Sequence, residues 1–486
     1  MSGYVEGVAR DQASLLPARL DDYVAPDHLV RVINAYVDQV DVLALGFRHA
    51  VPAERGRPPY SPHDLLKLFL YGYMCGIQSS RRLETECGRN VEVMWLLGKR
   101  VPDHKTIASF RQHERSAIVA VCVAFVQFCR AQGQLGKPQL AVDGSKIRAA
   151  AGRRAVVSRK KVEQELKETR EKIAEYLAKL EEADRAESAT PEPAELAAWA
   201  RKALERLNKR QSELEAQKQA VEQCGRDSLV PGEPEARPMH CNGSMVGPAY
   251  NAQFVVSTDT HLIVHHELTQ DVNDRQQLYP MASGAQQALG IEPPAACEGE
   301  VKPPPQMQML ADSGYSNGEQ AAQCEAAGIE PCVPPQRAVN QKGLFDSSKF
   351  TYDAASNSYT CPAGEQLPFK QSVAADKLDR YMAKDCRQCP LKAQCTEADR
   401  RTVSRSWFEP ELQRMAQRVA ADRSLMQRRR ATAEHPFGTL KRRFGGKFLT
   451  RGLAAARAEL ALQVLAHNFS RMIRLCGARP LLAALA

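Results

Sequence analysis

Three acidic residues stand in sequence contexts that suit a metal site. Asp143 ends the apolar stretch LAV just before Gly144, and Asp312 follows MQMLA just before a small-residue turn, so both are expected at strand ends. Glu434 lies in a late, basic helical stretch. Carboxylate ligands favour Mg²⁺ or Mn²⁺, and two such ions can hold the attacking and leaving oxygens of a phosphodiester. A turn or cap role for each aspartate is the alternative.

Glu434 is surrounded by cations in the sequence between residues 428 and 446. An ionised carboxylate is ill suited to donate a proton and well suited to bind a metal ion. Arg430 stands one helical turn before Glu434 and Lys441 about two turns after it, so both are expected on much the same face, holding phosphates. Pro436 predicts a bend or an irregular turn beside the glutamate. The other cations predict a general basic surface: Arg428, Arg429, Arg442 and Arg443.

Four cysteines have the spacing of a zinc site. Cys386 and Cys389 form a C-x-x-C pair, and Cys361 and Cys395 supply two further thiols. A closed Cys₄ set is typical of one structural Zn²⁺. The region has few aliphatic residues, so a metal is expected to replace a core that the segment cannot otherwise build. A redox pair or plain surface thiols are the alternative, but the thioredoxin-like βαβ pattern is lacking.

The first 135 residues are predicted to be helical. Ser61 is expected to cap a helix that starts at Pro62, with Asp64 completing an S-x-x-D capping box. The apolar run at residues 117–129 predicts a buried helix, since it is shorter than the roughly 20 residues of a membrane span.

A short predicted helix after Asp103 carries Lys105 and Arg111 beside two apolar packing residues. A string of short helices that ends in this way is compatible with a helix-turn-helix reader of DNA. Helical clusters without a nucleic-acid role are common and form the alternative.

Strands and helices alternate from residue 136 to residue 338, which predicts an α/β layer. Aliphatic residues spaced by seven between Lys160 and about Gln223 predict an antiparallel helical hairpin, joined at the Pro-containing turn SATPEP. Its charges favour a structural arm or a dimer contact. Asp271 and Asp274 precede a helix and are expected to be caps.

Several motifs in order carry a family resemblance: AVDGSKI, YNAQFVV, MLADSGY and R-x-x-x-E-x-x-x-x-x-x-K. Together they resemble the bacterial insertion-sequence transposases of the DDE class, over most of the chain. Arg430, Glu434 and Lys441 match three members of the YREK signature of one branch, whose Tyr is Gln427 here.

The resemblance implies an α/β fold with a ribonuclease-H-like catalytic core, made of a mixed sheet with helices. An all-α N-terminal domain, a helical-hairpin insertion and a zinc-binding insertion are implied beside it. Asp143, Asp312 and Glu434 would bind two Mg²⁺ or Mn²⁺ ions. The implied reaction is hydrolysis at the inverted-repeat ends of an element, followed by transfer of the freed 3′-OH to target DNA. Since two ends react, a homodimer is expected.

The expected domains follow from these elements. They are a helical DNA-binding domain at 1–135, core segments at 136–158 and 226–338, the hairpin at 159–225, the Cys-rich insertion at 339–420, and C-terminal helices with the catalytic Glu at 421–486. The expected contacts to double-stranded DNA are Arg430, Lys441, Arg442, Arg443, Lys105 and Arg111.

Charge and composition agree with a DNA partner. The chain has 66 Lys and Arg against 57 Asp and Glu, a net charge of +9 that favours a polyanion. Neither a targeting signal nor a membrane span is visible, and the scattered cysteines favour a reducing cytoplasm, with the protein at the nucleoid when bound to DNA. Two other functions remain open: a nuclease or resolvase without strand transfer, and a catalytically silent DNA-binding regulator. The three intact acids disfavour the regulator.

Overall fold

The computed structural model describes residues 19–52, 58–136, 138–185, 192–241, 246–294, 305–336 and 343–486, without the side chains of 182–198 and 200. The chain forms two compact units. The first comprises Met1–Gln134, Arg442–Phe444 and Arg457–Ala486, and the second comprises Leu135–Lys441 and Gly445–Ala456. The predicted SATPEP turn of the hairpin lies partly outside the described residues.

The N-terminal part of the first unit is helical, as predicted. Its helices are α1 (Leu29–Asp38), α2 (Pro62–Met74), α3 (Ser80–Arg89), α4 (Val91–Leu97), α5 (His104–His113) and α6 (Arg115–Ala131). Helix α2 starts at Pro62 behind Ser61, whose side chain accepts a hydrogen bond from the His63 amide. The predicted capping box is wrong, because the Asp64 carboxylate is ion-paired with Arg100.

Aromatic side chains form much of the core of the first unit. The apolar helix α6 is buried along one face, as its sequence predicts, and its Phe125 ring lies 5.0 Å from Tyr36 and 4.8 Å from Phe469. Helix α5 is capped by Asp103 and buries Ile107 and Phe110. The predicted packing face of α5 is therefore confirmed.

The second unit is built on a mixed sheet. Strands β1 to β8 are β1 (Gln139–Arg148), β2 (Val157–Ser158), β3 (Ser228–Leu229), β4 (Arg237–His240), β5 (Val246–Ser257), β6 (Ile263–Thr269), β7 (Met307–Leu310) and β8 (Ile329–Cys332). Strands β2 and β3 form a separate two-stranded ladder, and the others form the mixed sheet. The order is β4-β5-β1-β7-β8, and β6 also pairs with β5. Strand β1 is antiparallel to β5 and parallel to β7, and β7 is parallel to β8. The predicted mixed α/β layer is confirmed.

Helices cover and interrupt this sheet. They are α7 (Arg159–Arg185), α8 (Glu192–Gln223), α9 (Leu278–Ala288) and α10 (Gly318–Ala326). Helices α7 and α8 form the antiparallel hairpin, which buries Leu166 against Leu214. The ladder of β2 and β3 closes its base, pairing Val157 with Leu229.

The Cys-rich segment folds around its own small sheet. It contains β9 (Thr351–Asp353), β10 (Ser358–Thr360), β11 (Gln366–Val373), β12 (Leu378–Met382), the short helix α11 (Lys392–Cys395) and β13 (Thr402–Ser406). Aromatic residues supply a core that includes Tyr359 and Tyr381, with Leu367 fully buried. The expectation that this segment cannot build a core is therefore wrong, because aromatic rings replace the missing aliphatic side chains.

The chain ends in helices α12 (Glu409–Ala421), α13 (Ser424–Phe444), α14 (Leu453–Cys476) and α15 (Ala478–Ala484). Helix α13 runs through Pro436 without ending or restarting. The predicted irregular turn beside Glu434 is thus wrong, and the alternative of a bend stays a prediction. A proline at this place removes one backbone donor from the helix. No helix among the described residues is both long and apolar enough to cross a membrane.

Candidate active site

Two aspartates from different parts of the chain meet where the parallel pairing of two interior strands, β1 and β7, ends. The parallel pairing of β1 with β7 ends where Ala141 lies opposite Leu310. Asp143 and Asp312 each follow two residues later, and the shared register therefore brings them to the same level. Asp312 begins a single 3-10 turn and accepts a hydrogen bond from the Gly314 amide at 2.8 Å.

The position of Asp143 within its strand differs from the prediction. Strand β1 continues to Arg148, so Asp143 lies inside the strand and not at its end. The apolar run stops at Val142, but antiparallel pairing with β5 holds the chain extended through the polar residues that follow. Only the parallel pairing with β7 ends near Asp143, so β1 has no paired neighbour on that side at the aspartate.

An arginine joins the two carboxylates. One terminal nitrogen of Arg429, Nη2, lies 2.9 Å from Asp143 Oδ1 and 3.0 Å from Asp312 Oδ2. Arg429 is 7% exposed, so the guanidinium lies inside the protein. The prediction that Arg429 belongs to a general basic surface is therefore wrong. The burial of Arg429 could have been predicted from the helical period, because Arg429 stands four residues before the small apolar Ala433 and so lies on the same buried face of α13.

Burial dominates the electrostatics of this pair. It raises the pKa of Asp143 to about 6, against the opposing effect of the Arg429 charge. The nearby negative charge of Asp312 contributes to the raised pKa of Asp143. Two carboxylates in a partly desolvated site thus share a single cation, and the arrangement favours additional positive charge.

Polar side chains converge beside the aspartates on the other face of the sheet. Asp274 Oδ1 accepts hydrogen bonds from Asn251 at 2.7 Å, Gln253 at 2.6 Å and Lys146 at 3.3 Å. The Tyr315 hydroxyl donates to the side-chain oxygen Oε1 of Gln253, which ties the turn after Asp312 to β5.

Asp274 is therefore not a helix cap, and neither is Asp271. Helix α9 starts at Leu278 behind Gln277, whose side chain donates to Asp271. The missed signal for Asp274 lies in YNAQFVV, where Asn251 and Gln253 alternate on one face of an otherwise apolar strand.

Helix α13 packs on the face of the sheet that carries Asp143. Ala433 is buried among Ala141, Leu310 and Cys332, and the Phe437 ring stacks on Phe254 with centroids 4.3 Å apart. Phe254 lies opposite Asp143 in the β1–β5 register.

Glu434 follows Ala433 on α13 and is exposed. In the described residues, no group of three or more His, Cys, Asp or Glu side chains is arranged to hold a metal ion. The structure therefore brings together Asp143 and Asp312 but leaves Glu434 outside their immediate contacts.

Lys441 and Arg430 have different surroundings. Lys441 Nζ donates to Ser145 Oγ at 2.6 Å, two residues along β1 from Asp143. Burial lowers the pKa of Lys441, while Cys241 and Asp143 oppose this effect. Arg430 is exposed, one helical turn before Glu434. Lys441 thus lies close to the aspartates, and Arg430 faces solvent.

The remaining predicted DNA contacts belong to the first unit. Arg442 and Lys105 are exposed, and Arg443 is half-buried, so that burial lowers its pKa with a smaller contribution from the Arg474 charge. Arg111 donates to the Tyr73 hydroxyl and to the Gln78 carbonyl oxygen. Its guanidinium is therefore already used within the fold.

The four predicted zinc ligands are neighbours at one end of the small sheet. Cys361 follows β10, Cys386 and Cys389 lie in the turn after β12, and Cys395 ends α11. Burial raises the pKa of Cys395, Arg401 lowers it, and the other three thiols raise it. All four are free of disulfides. Sequence positions up to 34 residues apart are thus brought together, whereas the ligand geometry of a metal centre is not formed among the described side chains.

Comparison with known families supplies the identity. A transposase domain family (DUF772) matches residues 18–113, and a transposase DDE domain matches residues 360–473. The chain belongs to the insertion-sequence DDE transposases. The DDE match spans Glu434 and the four cysteines of this transposase, while Asp143 and Asp312 lie outside it. No curated protein and no solved structure matches the chain.

Proposed function

We propose that this transposase binds the terminal inverted repeats of an insertion sequence, hydrolyses phosphodiester bonds at both ends and transfers each freed 3′-OH to target DNA. The observation that carries the proposal is the meeting of Asp143 and Asp312 on one cation, from positions 169 residues apart in sequence. Two carboxylates in a desolvated site repel each other, so this pair needs a positive charge beside it.

The proposed catalytic core is ribonuclease-H-like. Its support is a sheet in which the central strand β1 is antiparallel to β5 on one side and parallel to β7 on the other. One proposed ligand stands on β1 and the second directly after β7. Assignment to the YREK-signature branch is part of this proposal, and it is supported by Arg430, Glu434 and Lys441 in the sequence.

The donor set fits two hard divalent cations. Asp143 and Asp312 offer only carboxylate oxygens, which match Mg²⁺ or Mn²⁺, and they already surround a positively charged atom. Glu434 is the third ligand in this proposal. Bound ions would supply the positive charge that activates the attacking oxygen and stabilises the leaving oxygen.

The protein's own cations would orient the DNA. Lys441 lies beside Ser145 and Asp143, where its ammonium can hold a phosphate oxygen near the aspartates. Arg430 is exposed on the same helix as Glu434 and suits bidentate contact with the next phosphate. Lys105, Arg442 and Arg443 are proposed as further backbone contacts, with residues 1–135 as the end-binding domain. A homodimer would bring two ends together.

A cleavage assay tests the catalytic proposal. Duplex DNA with the terminal repeats found beside the gene is incubated with Mg²⁺ and wild type, Asp143→Asn, Asp312→Asn or Glu434→Gln. Asp376→Asn, at an exposed aspartate of the Cys-rich segment, is the matched control. Cleavage and joining by wild type and control, with loss of about a hundredfold or more in the three variants, is expected.

Each contrary result has a distinct meaning. Equal activity of wild type and Asp312→Asn would refute the catalytic assignment. Cleavage without joining would favour the nuclease function, and repeat-specific binding without cleavage would favour the regulator.

A single structural Zn²⁺ at Cys361, Cys386, Cys389 and Cys395 is also proposed. Its support is the proximity of four free thiols and their soft-ligand chemistry. Metal analysis of the purified chain should find one equivalent of zinc. Persistence of that zinc in a Cys386→Ser/Cys389→Ser variant would exclude this site.

A further inference from the structure

Arg429 occupies the position between the two aspartates that a metal ion would share. Its Nη2 atom donates to Asp312 Oδ2 at 3.0 Å and lies 2.9 Å from Asp143 Oδ1. The side chain is 9% exposed, and among the described residues its buried Nε atom has no hydrogen-bond partner. A buried donor without a partner disfavours this position of the guanidinium. The two carboxylates must therefore supply the interaction that holds Arg429 there.

We propose that Arg429 is the resident counter-ion of the metal-free site and competes directly with the divalent cation. The inference rests on the proposed function, in which Asp143 and Asp312 bind that cation. A metal ion shared by both carboxylates and the Arg429 guanidinium between them are mutually exclusive, because both are cations that need the same oxygens. Metal binding therefore requires the guanidinium to leave.

The opposite role, in which Arg429 prepares the site for metal, is disfavoured by the other contacts of the aspartates. Asp143 Oδ1 accepts from the Gly144 amide at 2.9 Å, and Asp312 Oδ1 accepts from the Gly314 amide. The Tyr315 hydroxyl independently ties the Asp312 turn to β5 through Gln253. Backbone and sheet thus hold both carboxylates without Arg429, and removal of the arginine takes away a competitor more than it takes away a support.

The helix offers a matched control. Arg428 precedes Arg429 and is exposed, and its guanidinium contacts Gln139, Asp422 and Ser424 but neither catalytic aspartate. Loss of either arginine removes one positive charge from the same helical turn. Only loss of Arg429 frees the two carboxylates, so the comparison separates competition at the site from long-range electrostatics.

The test is Mn²⁺ binding to the full chain without DNA, measured by calorimetry and by electron paramagnetic resonance of free Mn²⁺. Arg429→Gln should bind Mn²⁺ about tenfold or more tightly than wild type, since a competing state held by charge-assisted hydrogen bonds is removed. Arg428→Gln should stay within about twofold of wild type. Arg429→Lys, which keeps the charge but loses the planar fork, should fall between them.

Thermal unfolding gives a second measurement and checks folding. Metal-free Arg429→Gln should unfold at a lower temperature than wild type, because two carboxylates lose their cation, and saturating Mn²⁺ should raise its midpoint by more than it raises that of wild type. Equal or weaker Mn²⁺ binding by the folded Arg429→Gln and Arg429→Lys variants would overturn the competition. If Asp312→Asn binds Mn²⁺ as wild type does, the metal site of the proposed function fails first, and the competition fails with it.

Discussion

Gly144 on β1 lies against the hydrogen-bonded side chains of Asp274, Asn251 and Gln253. A single methyl group at this position should disrupt their hydrogen bonds. A Cβ atom at this position would lie 2.6 Å from Asp274 Oδ1 and 3.1 Å from Asn251 Oδ1, and it would be closer still to Gln253 Nε2. Real Cβ atoms do not approach polar atoms so closely, so Gly144→Ala must displace at least one of these side chains.

The cost follows from what the displaced groups lose. Gln253 is fully buried, donates to Asp274 and accepts from Tyr315, so its side chain cannot move without breaking a bond. A hydrogen bond to a charged group contributes about 1.5–3 kcal/mol, and the more restricted unfolded chain of alanine returns about 0.4–1 kcal/mol. Gly144→Ala is therefore expected to lower the free energy of unfolding by about 0.5–2.5 kcal/mol.

The assay is urea unfolding of the full chain, followed by far-ultraviolet circular dichroism, with Gly152→Ala as the matched control. Gly152 has φ −75° and no atom within 4 Å of an added Cβ. Its substitution should leave stability unchanged or raise it by up to about 1 kcal/mol. In a Gln253→Ser background, the further cost of Gly144→Ala should shrink, since the nearest obstructing atom is gone.

Equal midpoints for Gly144→Ala and Gly152→Ala would refute the reasoning. Additive costs in the double variant would also contradict it, because the two positions would then be energetically independent.

Two further predictions concern the same unit. Burial lowers the pKa of His265 to about 4, and burial together with repulsion from His265 lowers that of His266 to about 3. The unfolded chain therefore takes up protons at a higher pH than the folded chain. The free energy of unfolding should fall by a few kcal/mol as pH drops from about 6.5 toward 4. Asp143 has a raised pKa, so it stabilises the fold as pH falls between about 6 and 4 and would mask part of this loss. Urea midpoints at pH 7, 6 and 5 should therefore be compared in an Asp143→Asn background with and without His266→Gln. If His266→Gln leaves the change of the midpoint with pH unaltered, the result counts against the histidines. Glu233 is buried and accepts hydrogen bonds from two backbone amides and from a tyrosine hydroxyl, so Glu233→Gln should lower the free energy of unfolding by about 2–3 kcal/mol, while the more exposed Glu235→Gln should not.

The sequence was most informative where local pattern and sheet geometry agree. The apolar runs before Asp143 and Asp312 were enough to predict that each residue follows a strand-forming segment of one α/β layer. The length of β1 could not be predicted, since its polar half is held extended by pairing with β5 and not by its own composition.

Residues that act through long side chains were the ones missed. Arg429 reaches the aspartates from a helix more than a hundred residues away in sequence, and its two immediate neighbours, Arg428 and Arg430, are also cations. A helical period alone indicates its face but not its partner. The role of Asp274 was hidden for a similar reason, since Asp274 lies in the loop before α9 and its partners Asn251 and Gln253 lie on strand β5.

The ladder of β2 and β3 has a consequence for how this chain can vary. The polypeptide leaves at Val157 and returns at Leu229 to a paired position, so the hairpin between them is a closed excursion whose two ends already touch. Its length is therefore decoupled from the register of the central sheet: whole helical turns can be added or removed at its tip without shifting β1 against β5. Such a hairpin is also a suitable place to insert a reporter domain, because the size of the inserted domain would not change the pairing of the strands that position the aspartates.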